Sequence, residues 1–201
     1  MANLSSVLAQ AAAKHGERPA VRLDDLVLSY SQLRDAAGRA AALLSSLGVE
    51  PGDRVGVMLP NVPAFPIVFY GALAAGAVVV PMNPLLKSRE VAHYVGDSGV
   101  KVLFTWHEAV AEAAKGAAGT GAQILEVDEP DLHSLLAGLT PAPSMADQAG
   151  DEDDAVILYT SGTTGTPKGA LLTAAALTAS AAATHDHLGG PGSGPAVVSG
   201  S

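Results

Sequence analysis

Residues 62–80, "VPAFPIVFYGALAAGAVVV", decide between two architectures. No Asp, Glu, Lys or Arg occurs between Arg54 and Lys87, and a membrane-spanning helix needs about 20 apolar residues in a row. However, Pro60, Pro63, Pro66 and Pro81 punctuate the stretch, and Gly71 and Gly76 lie inside it. Proline lacks the N–H that a helix interior uses, so an unbroken spanning helix is disfavoured. The run divides instead into a helix over Ala64–Ala75 and a short Val-rich strand over Ala77–Val80. A parallel strand buried on both faces, next to its crossover helix, has this appearance. The expectation is no transmembrane span, with a peripheral membrane contact still compatible.

Working outward, short strands alternate with helical stretches. "PAVRLDDLVLSYSQL" (Pro19–Leu33) carries two β-prone runs around Asp24-Asp25 and predicts a hairpin. Leu4, Val7, Leu8 and Ala11 recur at helical spacing, and Gly16 is the expected stop. Ser31 is the expected N-cap of a helix running to Leu47, with Gly48 as its C-terminal stop. "EPGD" (Glu50–Asp53) turns the chain into a strand over Arg54–Leu59. Ser88 is the expected cap of the next helix, and Glu90 suits the positive end of its dipole. "VKVLFTW" (Val100–Trp106) and "AQILEVD" (Ala122–Asp128) read as strands, with an Ala-rich helix between them from Glu108 to Ala118. "DLHSLLAGL" is a short helix, Thr140–Asp154 is a linker by composition, and Ala155–Tyr159 is a last strand. This order predicts an α/β fold, a mainly parallel sheet with flanking helices and right-handed crossovers. Ligands in such sheets bind in loops beyond the carboxyl ends of the strands.

Composition narrows the function classes. Hydrophobic residues make up 48% of the 201 residues and charged ones 15%, as in a globular chain. With aromatics at 4%, the core must be built from Ala, Val and Leu. The net charge of −9 and the lack of a Lys/Arg cluster exclude a nucleic-acid surface. Cysteine is absent, which excludes disulfides and thiolate metal sites. The N-terminus has no basic segment leading an unbroken apolar core, so it is not a secretory signal. Together these point to the cytoplasm.

The segment after the last strand, "TSGTTGTPKG" (Thr160–Gly169), is chemically unlike the rest. Gly162, Gly165 and Gly169 let backbone N–H groups approach a ligand closely. Thr160, Ser161, Thr163, Thr164 and Thr166 offer hydroxyl donors without negative charge. Lys168 adds a mobile cation, and Pro167 stiffens the turn. These are the properties of a loop for phosphate oxygens. The bland alternative is a polar surface loop joining a strand to a helix. It is not a Walker A loop, because Lys168 follows proline and precedes glycine, and no Gly-x-Gly-x-x-Gly fingerprint occurs.

"YTSGTTGTPKG" resembles the signature of the adenylate-forming ligases: acyl-CoA synthetases, luciferases and peptide-synthetase adenylation domains. "LSYSQL" (Leu28–Leu33) and "GALAAGAVVVPMNP" (Gly71–Pro84) resemble further motifs of that family, in the same order. "GDRVGVMLPN" and "DSGVKVLF" are similar to fatty-acid ligases in particular, and the resemblance extends from about Ser5 to Leu172. It implies that a carboxylic acid is activated with ATP and Mg2+ to an acyl-adenylate, which coenzyme A then converts to a thioester. By motif match, Thr160, Ser161, Gly162, Thr163, Thr164, Gly165, Thr166, Lys168 and Gly169 would hold the nucleotide phosphates. Lys168 does not match the family's catalytic lysine, which lies near the C-terminus of full-length members.

The chain also departs from the pattern. Family members place a Thr-His pair shortly after the loop, whereas Thr173 is followed by Ala174. Only 32 residues follow Gly169. The expectation is therefore an incomplete N-terminal AMP-binding domain over residues 1–183 and a truncated Gly/Pro/Ser-rich tail over 184–201. A non-catalytic ATP- or phosphate-binding or interaction module is the alternative. The oligomeric state is not specified by these motifs.

Other candidates read as structural. His185 and His187 flank Asp186 with no further ligand in view, which suits a solvated helix end better than a metal site. His93 and Tyr94 lie on a helix without an identifiable partner, so packing or surface is the default. Asp151–Asp154 is a solvated acidic run. Phe104 and Trp106 are expected in the core or at a strand end.

Overall fold

The strand at the end of the quoted stretch is central to the sheet. In the computed structural model, which describes residues 4–142, 153–160 and 167–188, Val78–Pro81 (β4) runs parallel to a neighbour on each side. Arg54–Met58 (β3) lies on one side and Asp154–Thr160 (β7) on the other. Val100–Trp106 (β5) and Gln123–Val127 (β6) extend the parallel set beyond β3, and Lys168–Thr173 (β8) closes the far edge antiparallel to β7. The order is β6-β5-β3-β4-β7-β8. A separate hairpin, Pro19–Leu23 (β1) and Leu26–Ser29 (β2), turns at Asp24-Asp25, with Asp24 at φ 49°.

Alternation along the buried strands sends neighbouring side chains to opposite helical layers. Val57, Val79, Val102 and Phe104 join a core with Leu4–His15 (α1), Tyr30–Ser46 (α2) and Ala64–Ala74 (α3). Met58, Val80 and Leu103 join a second core with Ser88–Ser98 (α4) and Val110–Ala117 (α5). Glu129–Leu136 (α6) and Ala174–Leu188 (α7) complete the first layer. Phe104 is fully buried and Trp106 sits at the end of β5, as composition suggested.

The apolar stretch is thus a helix and a strand. At 11 residues, α3 is about 16 Å long, half a hydrocarbon core. No helix among the described residues is long and apolar enough to cross a membrane. Ala64, Ile67, Val68, Gly71, Ala72, Leu73 and Ala74 are all buried, so α3 is enclosed on most sides. Its approach to α2 depends on Gly71. A Cβ there would lie 2.5 Å from Ala40 Cβ and 3.0 Å from the Ala37 carbonyl oxygen.

Two expected caps are corrected. Ser29, not Ser31, caps α2: its Oγ accepts the Gln32 N–H at 3.2 Å, and Gln32 Oε1 accepts the Ser29 N–H at 2.8 Å. The Ser31 N–H is taken by the Gly16 carbonyl at 3.0 Å, so the helix begins as soon as β2 ends. At α4, Lys87 holds the N-cap position and Ser88 is the first helical residue. The Ser88 N–H donates to Glu112 Oε2 of α5 at 2.6 Å, so a carboxylate from the neighbouring helix takes the place of a local hydroxyl. That backbone bond is the main reason the Glu112 carboxyl is held below its ordinary range. Glu90 accepts the Lys87 N–H at 2.9 Å, in keeping with its expected role in the first turn. The helix expected from Glu108 begins as a 3-10 turn over His107–Ala109 before α5. The linker read as ending at Asp154 gives up that residue to β7.

Gly71→Ala should destabilise the chain by about 1–3 kcal/mol through overpacking between α2 and α3. Gly96→Ala, in α4 with nothing within 4 Å of the added Cβ, should stabilise by about 0.5–1 kcal/mol. Urea denaturation midpoints of the two variants, moving in opposite directions, check both.

Candidate functional site

β7 ends at Thr160 and β8 begins at Lys168, so the segment Thr160–Gly169 joins the two strands at the carboxyl end of β7, the end at which an open parallel sheet presents its ligand-binding loops. Ser161, Gly162, Thr163, Thr164, Gly165 and Thr166 lie outside the described residues, so the geometry concerns the two ends of the loop. Those ends form a hairpin stem: Thr160 pairs with Lys168 and Tyr159 with Gly169. The element after the loop is therefore a strand, β8, where the bland reading has a helix. Among the described residues no helix begins at this loop. Lys168 supplies positive charge at one end of the loop, and the segment's other donors are backbone N–H and hydroxyl groups. Directly paired residues of an antiparallel ladder face the same way, so the Thr160 hydroxyl and the Lys168 side chain rise from one face. Both residues are exposed, and Lys168 makes no ion pair among the described residues.

The stem is held from its other face by α4. The Tyr159 ring stacks on Tyr94 at a centroid distance of 4.1 Å and an interplanar angle of 19°. The Tyr159 hydroxyl donates to Asp97 Oδ2 at 2.6 Å. His93 stands edge-on to Tyr94 and Tyr159, at 6.0 and 5.8 Å, and its Nε2 lies 2.8 Å from the Pro167 carbonyl oxygen. A carbonyl only accepts, so Nε2 carries the proton. Asp97 lies four residues after His93 and three after Tyr94, so both share a side of α4 with it. Burial, then the hydrogen bond to Asp97 and its charge, push the Tyr159 hydroxyl well above its ordinary range. Burial, then the Glu90 charge, raise that of Tyr94.

Gly169 has a packing role in this arrangement. A Cβ there would lie 2.9 Å from Ile157 Cγ2 and 3.3 Å from Tyr159 Cζ, so its bare backbone leaves room for the Tyr159 ring. Thr173, where the Thr-His pair was expected to begin, caps α7 by accepting the Ala176 N–H at 3.2 Å.

The default reading of His93 and Tyr94 missed their partners, which are 74 and 65 residues along the chain in the case of His93–Pro167 and Tyr94–Tyr159. The available signal was their shared helix flank with Asp97 and the tyrosine directly before the loop. His185, Asp186 and His187 fall in the last turn of α7, and their side chains lie outside the described residues. Among the described residues no group of three His, Cys, Asp or Glu side chains could hold a metal ion.

Comparison with known proteins gives a consistent result. The sequence matches the AMP-binding enzyme family over residues 8–198. It is 36% identical over 151 residues to the long-chain-fatty-acid–CoA ligase FadD13 of Mycobacterium tuberculosis, covering 74% of this chain and 30% of that one. It is 38% identical over 159 residues to a feruloyl-CoA synthase of an Amycolatopsis species, covering 79% and 31%. The fold is similar to the inhibitor-bound N-terminal domain of FACL13 from Mycobacterium tuberculosis, with a TM-score of 0.78 and 34% identity over 87% of this chain and 45% of that one. The chain thus spans about 30% of the length of these two curated relatives.

The Tyr159 hydroxyl holds its proton more tightly when folded than when unfolded, so the stability it contributes is complete below the ordinary tyrosine value of 10.0. It is lost as pH rises from there towards the folded value. Tyr159→Phe should therefore cost about 0.5–1.5 kcal/mol at neutral pH, the net worth of one hydrogen bond, and less as the solution is made alkaline. Denaturation midpoints of both proteins at pH values on either side of 10.0 check this.

Proposed function

This chain belongs to the AMP-binding enzyme family, and from that premise we propose that it carries the phosphate-holding part of an ATP-dependent acid–thiol ligase. The reaction of the whole ligase is the attack of a substrate carboxylate on the α-phosphorus of ATP. Pyrophosphate leaves, and the thiol of coenzyme A then displaces AMP from the acyl-adenylate. The part assigned to this chain is to hold and orient the leaving pyrophosphate end. Electrostatic positioning of that kind accounts for much of the catalysis in phosphoryl-type chemistry.

The observation that carries the reading is the pairing of Thr160 with an exposed Lys168, which has no ion-pair partner among the described residues, at the carboxyl end of a parallel strand. An ammonium without a carboxylate partner suits a polyanion, and the donor chemistry of the intervening residues matches. In this reading Thr160, Ser161, Gly162, Thr163, Thr164, Gly165, Thr166, Lys168 and Gly169 surround the phosphates. Mg2+ would accompany the nucleotide and offset part of its phosphate charge. The acid is of the fatty type, a choice supported by the "GDRVGVMLPN" and "DSGVKVLF" segments and by the FadD13 similarity. Residues 1–183 act as the first part of an AMP-binding domain and 184–201 as a tail, and the protein works in the cytoplasm.

The second reading is a module that binds ATP or phosphate without catalysis, supported by Thr173 being followed by Ala174 where family members carry a Thr-His pair. Two measurements on the 201-residue chain separate the possibilities. Saturable, magnesium-dependent ATP binding is expected, weakened about tenfold by Lys168→Ala, as for loss of one charge-assisted hydrogen bond. ATP–pyrophosphate exchange driven by a fatty acid is expected to be weak or absent for this chain by itself. Robust exchange would show that it needs nothing further for adenylation, and no ATP binding would remove both readings.

A further inference from the structure

Phosphate binding by backbone N–H groups and a lysine needs the peptides that present them held in place. The stem that carries this loop lies at the edge of the sheet. Among the described residues β8 has one neighbouring strand, and Leu171 on it is 53% exposed. Sheet pairing alone therefore secures the stem on one side only.

The platform on its other side is firmly built. α4 buries Val91 and Val95 in the second core, and its first N–H is bonded to Glu112. At its other end, the Ser98 and Gly99 carbonyls accept from the Arg54 guanidinium at 2.6 and 3.0 Å, which ties the helix to the start of β3. From this platform one contact reaches each end of the loop. Tyr94 and Asp97 take Tyr159, just before Thr160. His93 takes Pro167, just before Lys168.

We propose that His93 is a positioning residue for phosphate binding, its Nε2–H fixing the Pro167 carbonyl and hence the peptide from which Lys168 is presented. The proposal rests on the phosphate-loop reading given above. Its physical basis is the planarity of the peptide unit. The Pro167 carbonyl and the Lys168 N–H share one plane, so pinning the oxygen sets the direction of that N–H and of the Lys168 Cα. His93 touches neither nucleotide nor acid in this account and acts through Pro167 and Lys168. The Tyr94–Asp97 contact performs the matching task at the other end, which is why both contacts come from one helix flank.

The test uses the 201-residue chain, magnesium pyrophosphate as the probe, and two variants. His93→Phe keeps a ring against Tyr159 and loses the donor, whereas His93→Gln keeps an N–H donor at similar reach. Calorimetric titration should show pyrophosphate affinity reduced roughly three- to tenfold in His93→Phe, the span expected for one hydrogen bond, and mostly restored in His93→Gln. A purely structural role would instead lower the urea midpoint of both variants and leave the affinity of the folded protein unchanged. Independently, 15N-histidine NMR of the ligand-free wild-type chain should show His93 as the Nε2–H tautomer. Wild-type binding with no loss in His93→Phe, or an Nδ1–H tautomer at His93, overturns the proposal alone. A wild-type chain that does not bind pyrophosphate overturns the phosphate reading and the proposal together.

Discussion

The burial of Val78–Val80 between two parallel neighbours is the constraint on which the rest depends. Val79 is fully buried and faces one helical layer, and Val80 is fully buried and faces the other. A strand in that position has no solvent-facing side, so every residue must be small and apolar. Its crossover helix must also lie close over the sheet. Gly71 and the alanines of α2 and α3 make that close approach possible. With few aromatics available, cohesion comes from many small contacts at short distance and not from a few large side chains. Placing β4 in the middle also brings β7 into the parallel set, and so directs the Gly/Thr segment to the carboxyl edge.

Polar interactions in the molecule mostly fix geometry. Lys101 joins Asp53 at 2.7 Å in a partly exposed pair, of a kind that contributes little net stability. Although burial opposes it, the Lys101 ammonium and the Glu50 N–H hold the Asp53 carboxyl below its ordinary range and shape the turn into β3. Arg54 and Glu112 bind the two ends of α4. No buried side-chain nitrogen or oxygen among the described residues lacks a partner. The result is a rigid helix beside an edge hairpin, and the hairpin takes its definition from the helix.

Much of this was legible in the chain. Proline and glycine spacing distinguished a helix and strand from a membrane span, and valine-rich runs marked the parallel strands. What was not legible depended on distant residues. Ser29 and Ser31 are both competent caps, and the choice followed from where β2 stopped pairing. Ser88 lost the cap position to a carboxylate of another helix. The run "KGALLT" has helix-favouring Ala and Leu, yet pairing with β7 makes it a strand, since strand formation follows context more than propensity. At the site, the phosphate chemistry of Thr160–Gly169 could be read from residue types. The supports from His93, Tyr94 and Asp97 left only their shared helix flank as a trace, because local sequence does not report which helix will cross which strand.

The central claim is that the β7–β8 hairpin end is a phosphate site held by α4. An amide NMR titration of the 201-residue chain with magnesium pyrophosphate tests it most directly. The account predicts that shift changes concentrate at Thr160, Lys168 and Gly169, with smaller ones at His93 and Tyr94, and that the β1–β2 hairpin and α6 stay unchanged. Changes centred on those last two elements, or none at Thr160 and Lys168 at saturating probe, would contradict it.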